Sequence, residues 1–240
     1  MLFFVLSGFL MSHLYAHEEF NCTNIKKYAL ARIGRVGPLS FLLLSTSIII
    51  SNYFYTDFIY SFNETEKIAR AFAFIKAPYV FWSIPVEVQF YILFLGYWYI
   101  HKKIHTPYAL FIYIILTMIP TALLYMAFSK LIGSVSLYSH AFFIGAVTAL
   151  YQNHIINNKK IQKLASFAGY PLIILLFTYT PFLREQYGLV YSNSTYLKTW
   201  GDPITWFIVY GIFICAILNT KSLALMNYRL FVYLGSISYG

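Results

Sequence analysis

Residues Tyr108–Phe128 read YALFIYIILTMIPTALLYMAF, 21 positions without one charged side chain. A helix needs about 20 predominantly apolar residues to cross a hydrocarbon core, and this run has them. Pro38–Ser51 and Pro203–Leu218 repeat the pattern on a shorter scale, with only the bounding Asp202 charged. These runs read as transmembrane helices.

Composition agrees with that reading. Of 240 residues, 60% are hydrophobic and 10% charged, against about 25% charged in an average soluble domain. A water-soluble fold of this size could not hide so much apolar surface. Apolar runs separated by polar breaks place spans near 2–16, 38–52, 81–100, 107–128, 135–151, 164–183 and 203–218, with an eighth beginning near Leu230. The predicted fold class is all-α: one polytopic transmembrane helical bundle over residues 1–240, with about seven complete spans and a cut-off eighth. Aromatic residues make up 21% of the chain, and Tyr97-Trp98-Tyr99, Trp200 and Trp206 sit near segment ends. Interfacial belts of Trp and Tyr would place them there.

The net charge of +9 would suggest nucleic acid in a soluble protein. Here the basic residues fall between apolar runs, so membrane topology accounts for them and no nucleic-acid partner is expected. Alternate connections should be richer in Lys and Arg on the cytoplasmic side. One set holds Lys26, Lys27, Arg32, Arg35, Lys102, Lys103, Lys159, Lys160, Lys163, Lys221 and Arg229; the other holds Lys67, Arg70, Lys76, Lys130, Arg184 and Lys198, an 11 to 6 division of the 17 basic residues. The first helix then descends from outside, the stretch from Tyr53 to Val80 lies outside, and Glu87 falls in the outer half of its span. The expected location is a bacterial inner membrane, crossed many times. Cys22 and Cys215 form neither a metal pattern nor a disulfide framework, and no metal site is predicted.

Three stretches carry candidate chemistry. In Trp82-Ser83-Ile84-Pro85-Val86-Glu87-Val88-Gln89-Phe90-Tyr91, a carboxylate follows a proline near the start of a span. An ionisable group at membrane depth is expensive and marks a functional site by default, although contact with headgroups or a neighbouring helix would also account for it. Arg32 and Arg35 lie three residues apart, on one face of a helix, ahead of Gly37-Pro38 at the mouth of the next span. They could clamp phosphates through forked hydrogen bonds, or merely anchor the chain to anionic headgroups. Ser7 and Gly8 interrupt the bulky run Phe3-Phe4-Val5-Leu6-Ser7-Gly8-Phe9-Leu10. Small residues let helices approach closely, and Ser7 could also line a polar cavity.

In this order the three stretches resemble acyltransferase family three, membrane proteins that move acyl groups onto extracytoplasmic acceptors. The resemblance rests on Phe3–Leu10, on Arg32, Arg35 and Pro38, on Trp82–Tyr91 with Ile84 in place of leucine, and on Leu234-Gly235-Ser236-Ile237-Ser238-Tyr239. It implies transfer of an acetyl or other short acyl group from acyl-CoA, the cytoplasmic donor, to a hydroxyl of an extracytoplasmic polysaccharide or lipid-linked sugar, as in polysaccharide O-acetylation, with no permanently bound cofactor. It also implies that Arg32 and Arg35 bind the donor and that Glu87 is catalytic, orienting a histidine or accepting the acceptor's proton. Ser7, Gly8, Trp82, Ser83, Gln89 and Tyr91 are the accompanying motif residues. The family has a preceding helix with a basic residue and a histidine that nothing here supplies; His13 and His17 do not match its position. The expectation is therefore a fragment or truncated product, inactive alone. A small transporter or flippase and a non-catalytic membrane subunit are the alternatives.

Overall fold

In the computed structural model, residues 1–54, 64–103, 135–179, 203–218, 223–224, 228–229 and 232–233 are described, and no strand occurs among them. The regular elements are α1 (Leu2–Tyr15), α2 (Cys22–Ile49), α3 (Thr65–Phe72), α4 (Ser83–Lys103), α5 (Val135–Leu150), α6 (Gln152–Asn157), α7 (Lys159–Thr178) and α8 (Pro203–Ile217). A π-turn, Ile50–Phe54, continues α2, and a 3-10 turn, Tyr79–Trp82, leads into α4. The expected span at 107–128, the Leu234–Tyr239 motif and Trp200 lie outside the described residues.

The all-α class stands. Of the described helices, α7 is both long and apolar enough to cross a membrane; Leu2–Tyr15, Tyr138–Leu150 and Ile204–Ile217 are apolar but shorter. Among the described residues, seven complete spans are not reached by that measure. Large apolar side chains such as Leu30, Leu39, Leu164, Phe167 and Phe207 face outward on their helices.

The chain divides into two compact units, Met11–His140 and Met1–Leu10 with Ala141–Gly240. In the first, α2 and α4 run antiparallel. Near one end the Tyr28 hydroxyl donates to the Tyr91 carbonyl at 2.9 Å, and near the other Leu44 clusters with Ala71, Ala77 and Phe81. Helix α3 is amphipathic. Ile68 and Phe72 pack on that cluster, while Lys67 and Arg70 on the opposite side pair with Glu64 and Glu66. The Gln89 amide donates to the carbonyls of Phe74 and Ile75, each at 2.9 Å, pinning the approach to α4 where Phe74 holds φ at 53°.

Two expectations need correction. The helix expected to start at Pro38 begins sixteen residues earlier, at Cys22. Asn21 caps it, its side chain accepting from the Asn24 N–H at 2.9 Å. Pro38 sits inside the helix, where it forfeits the bond to the Gly34 carbonyl. The basic stretch is thus helix rather than connection. The α7 helix likewise begins at Lys159 instead of 164, because Asn158 caps its first N–H groups. The second correction concerns the aromatic belt. Tyr97 and Trp98 are 1% and 0% exposed, and the Trp98 indole donates to the Glu18 carbonyl at 3.0 Å. They are core, and only Tyr99 faces outward.

In the second unit, α1 and α5 touch backbone to backbone. A Cβ on Gly8 would stand 1.9 Å from the Phe142 carbonyl oxygen, and one on Gly145 would stand 1.9 Å from that of Val5. The two glycines make reciprocal room, so the close-packing reading of Gly8 holds. Phe4 packs on Phe142 beside the crossing, and Phe9 meets Phe213 of α8 edge-on. Helices α7 and α8 pack through Ala165 and Cys215, with Leu172 against Gly211. Cys215 is a packing residue, as its apolar run suggests.

Gly8→Val should destabilise the protein by about 1–3 kcal/mol through overpacking, lowering its unfolding midpoint in detergent, while Gly34→Ala should leave that midpoint unchanged or raise it. Equal midpoints for the two variants would refute the crossing. Gln89→Leu should expose the backbone around Ile75, seen as faster amide hydrogen exchange there, with a loss of about 1–3 kcal/mol.

Candidate functional site

Helix α4 begins with Ser83-Ile84-Pro85, and a proline in the first turn forfeits nothing because that N–H has no intrahelical partner. One turn later the helix delivers Glu87 inward, 6% exposed. Four residues on, the same face carries Tyr91, whose hydroxyl donates to Glu87 Oε1. The bond aims the carboxylate, and burial of both groups keeps water from competing with it.

Arg32 approaches the same tyrosine from α2. Its guanidinium lies 5.7 Å from the Tyr15 ring centroid and 5.8 Å from that of Tyr91. The aromatic faces supply electron density where a carboxylate would otherwise be expected. Among the described residues no carboxylate pairs with Arg32, and its Nε is buried without a hydrogen-bond partner. Arg35, one turn further, is half-buried. The sequence placed the arginines and Glu87 on opposite sides of a bilayer; within this unit Arg32 and Glu87 both contact Tyr91.

Tyr28 completes the arrangement. It stands four residues before Arg32, on the same helix face, and is fully buried. Its ring meets Tyr15 edge-on at 5.0 Å and stacks on Phe94 at 5.7 Å, and its hydroxyl lies 3.3 Å from the Met11 sulfur as well as on the Tyr91 carbonyl. Sequence reasoning passed over it. Its spacing from Arg32 was the available signal.

Beside Arg32 and Tyr91, α2 and α4 border a half-open cavity of about 230 Å³ whose surface is almost wholly apolar. Ala29, Val36, Gly37 and Val88 contribute to its wall, and Arg32 is the charged residue among the lining side chains. The remaining motif residues play other parts. Gln89 holds the Phe74–Ile75 backbone, Ser83 is half-buried at the junction into α4, and the exposed Trp82 ring lies 4.9 Å from Tyr138. Ser7 and Gly8 belong to the other unit, where Ser7 is buried at the α1–α5 crossing. His13 and His17 are exposed, and His140 is buried on α5. Among the described residues no cluster of three or more His, Cys, Asp or Glu could hold a metal.

A buried carboxylate held by a tyrosine can take up a proton from a neighbouring hydroxyl, and a cation one ring away can hold an anionic or polarised partner beside it. No curated protein and no solved structure matches the chain significantly. The acyltransferase domain of acyltransferase family 3 matches residues 1–240, the whole of the chain, and the protein therefore belongs to that family.

Proposed function

We propose that this protein is a multi-pass O-acyltransferase of a bacterial inner membrane, moving an acyl group from cytoplasmic acyl-CoA to a hydroxyl of an extracytoplasmic polysaccharide or lipid-linked sugar. Membership of acyltransferase family 3 supports the acyl transfer. The outward-facing apolar side chains of α2, α7 and α8 support the bilayer, since soluble monomers rarely expose broad apolar patches. The observation that carries the site is the convergence on Tyr91: its hydroxyl on Glu87 and its ring against Arg32.

Arg32 and Arg35 hold the phosphates of the donor, where the forked guanidinium geometry fits. Glu87 takes the acceptor hydroxyl's proton, directly or through a histidine that it orients. The acceptor oxygen then bonds to the acyl carbonyl carbon while the carbon–sulfur bond breaks. The CoA thiolate leaves and recovers a proton, so the reaction consumes no cofactor. Tyr91 is a positioning residue that holds Glu87 in line.

Expressed from its native gene and assayed in membranes with labelled acyl-CoA, the protein should label a glycan. Glu87→Gln should lower that transfer by roughly 10²- to 10⁴-fold, and undiminished labelling would remove Glu87 from its role. Arg32→Ala should raise the KM for acyl-CoA by roughly ten- to hundredfold with a smaller change in kcat. Arg32→Lys should fail to restore it, because an ammonium has no planar fork. Passage of an unmodified solute without any acyl label on glycan would point to a transporter instead.

A further inference from the structure

We infer that the half-open cavity along α2 and α4 holds one tail of an anionic phospholipid whose headgroup lies between Lys26 and Lys103, an inference that rests on the bilayer location proposed above. The surface of the cavity is almost wholly apolar. Arg32 gives it little besides the aliphatic stem, because the guanidinium is turned to the rings of Tyr15 and Tyr91. The hydroxyls of Tyr28 and Tyr91 are bound elsewhere, to the Tyr91 carbonyl and to Glu87. Ile33 and Ile92, 65% and 67% exposed, flank the opening. Large aliphatic side chains facing outward suit hydrocarbon on that side.

Charge lies beyond one end of the cavity. On α2, Ala29, Ile33 and Gly37 line it at intervals of four, and Lys26 precedes Ala29 by three on the same helix face. On α4, Val88, Ile92 and Leu95 line it, and Tyr99 and Lys103 continue that stripe at intervals of four. The helices are antiparallel, so both stripes reach their lysines at the same end of the seam. There Phe20, just ahead of α2, meets the Tyr99 ring at 5.3 Å, and the Lys103 ammonium folds back to 4.7 Å from that ring's centroid. Lys26, Lys27 and Lys103 are exposed, and among the described residues no carboxylate lies within ion-pair distance of them. A ligand with an apolar tail and an anionic head is complementary to this arrangement.

The dimensions agree with a leaflet. From Lys26 to Gly37 is eleven residues, about 16 Å along the helix axis. Half of a hydrocarbon core of about 30 Å is close to that, and it is the depth to which one leaflet's tails reach. Gly37 therefore lines the deep part of the cavity. A Cβ there meets only the Ile33 Cγ2, at an ordinary 3.6 Å, so a larger side chain can be built without displacing backbone and then occupies the space of the tail. Gly34 is not part of the wall and has open space around its Cβ position, which makes it the matched control.

The test titrates the purified full chain in detergent with long-tailed phosphatidylglycerol or phosphatidylcholine and counts bound lipid by native mass spectrometry. The anionic lipid should bind more tightly. Lys26→Gln and Lys103→Gln should each weaken it about fivefold and together abolish the preference. Lys76→Gln, beyond the Phe74 end, should change nothing. Gly37→Leu should weaken the long-tailed lipid roughly three- to tenfold through lost packing, yet leave a six-carbon-tailed phosphatidylglycerol unaffected. Gly34→Leu should match the parent with both. Equal affinity for the two headgroups, weakening by Lys76→Gln in place of the other lysines, or unchanged long-tail binding in Gly37→Leu overturns the site. Displacement of the lipid by an equimolar unreactive acyl-CoA analogue also overturns it and gives the cavity to the donor. The bilayer location is tested separately, by whether the parent chain stays with vesicles through an alkaline wash. A chain that stays but shows no lipid preference overturns the lipid site alone, and a chain that washes off overturns both.

Discussion

The Tyr28 hydroxyl bound to the Tyr91 carbonyl sets the register of α2 against α4. A helical carbonyl already accepts from the N–H four residues on, yet keeps a second lone pair, and Tyr28 uses it without disrupting either helix. Once that bond is made, the 3.6-residue period fixes the rest of the seam. One turn beyond Tyr28, Arg32 arrives over the Tyr91 ring; further on, Val36 and Gly37 share a wall with Val88, and Leu44 reaches Phe81. A slip of one residue would turn Arg32 by about 100° and away from the ring.

Arg32 shows how that register serves a charge. A guanidinium is more weakly hydrated than an ammonium and stacks well on aromatic faces, each such contact contributing about 0.5–2 kcal/mol. Tyr15 and Tyr91 provide two faces, enough to hold the group in place without neutralising it. A carboxylate in the same position would have satisfied the arginine and cancelled its charge. Aromatic support leaves an electrostatic attraction still to be used, beside a carboxylate that is engaged by a tyrosine of its own helix.

The helical class was legible in the sequence because uncharged runs of that length admit little else, and α5 and α8 end within a residue of where the apolar runs end. The start of α2 was not. Apolar windows register where charge stops, and charge stops at Pro38, whereas the helix is set by the cap at Asn21 and tolerates Arg32 through aromatic contacts distant in sequence. Tyr97 and Trp98 misled for a related reason: an aromatic pair at the end of an apolar run looks the same whether it anchors an interface or fills a core. Glu87, Arg32 and Tyr91 could each be singled out by residue type. Their meeting could not, because it depends on a long-range register specified by Tyr28, a residue of ordinary appearance in a chain with 23 tyrosines.

The α1–α5 crossing differs in kind from the seam between α2 and α4. Side chains that interlock can be exchanged in compensating pairs, a larger one here for a smaller one there. Where Gly8 lies against the Phe142 carbonyl and Gly145 against that of Val5, neither partner has a side chain to trim. Even a methyl group is too large, so the contact has no intermediate states between present and absent. Variation in this chain can proceed gradually along α2 and α4, but at these two glycines it can only proceed by moving a whole helix.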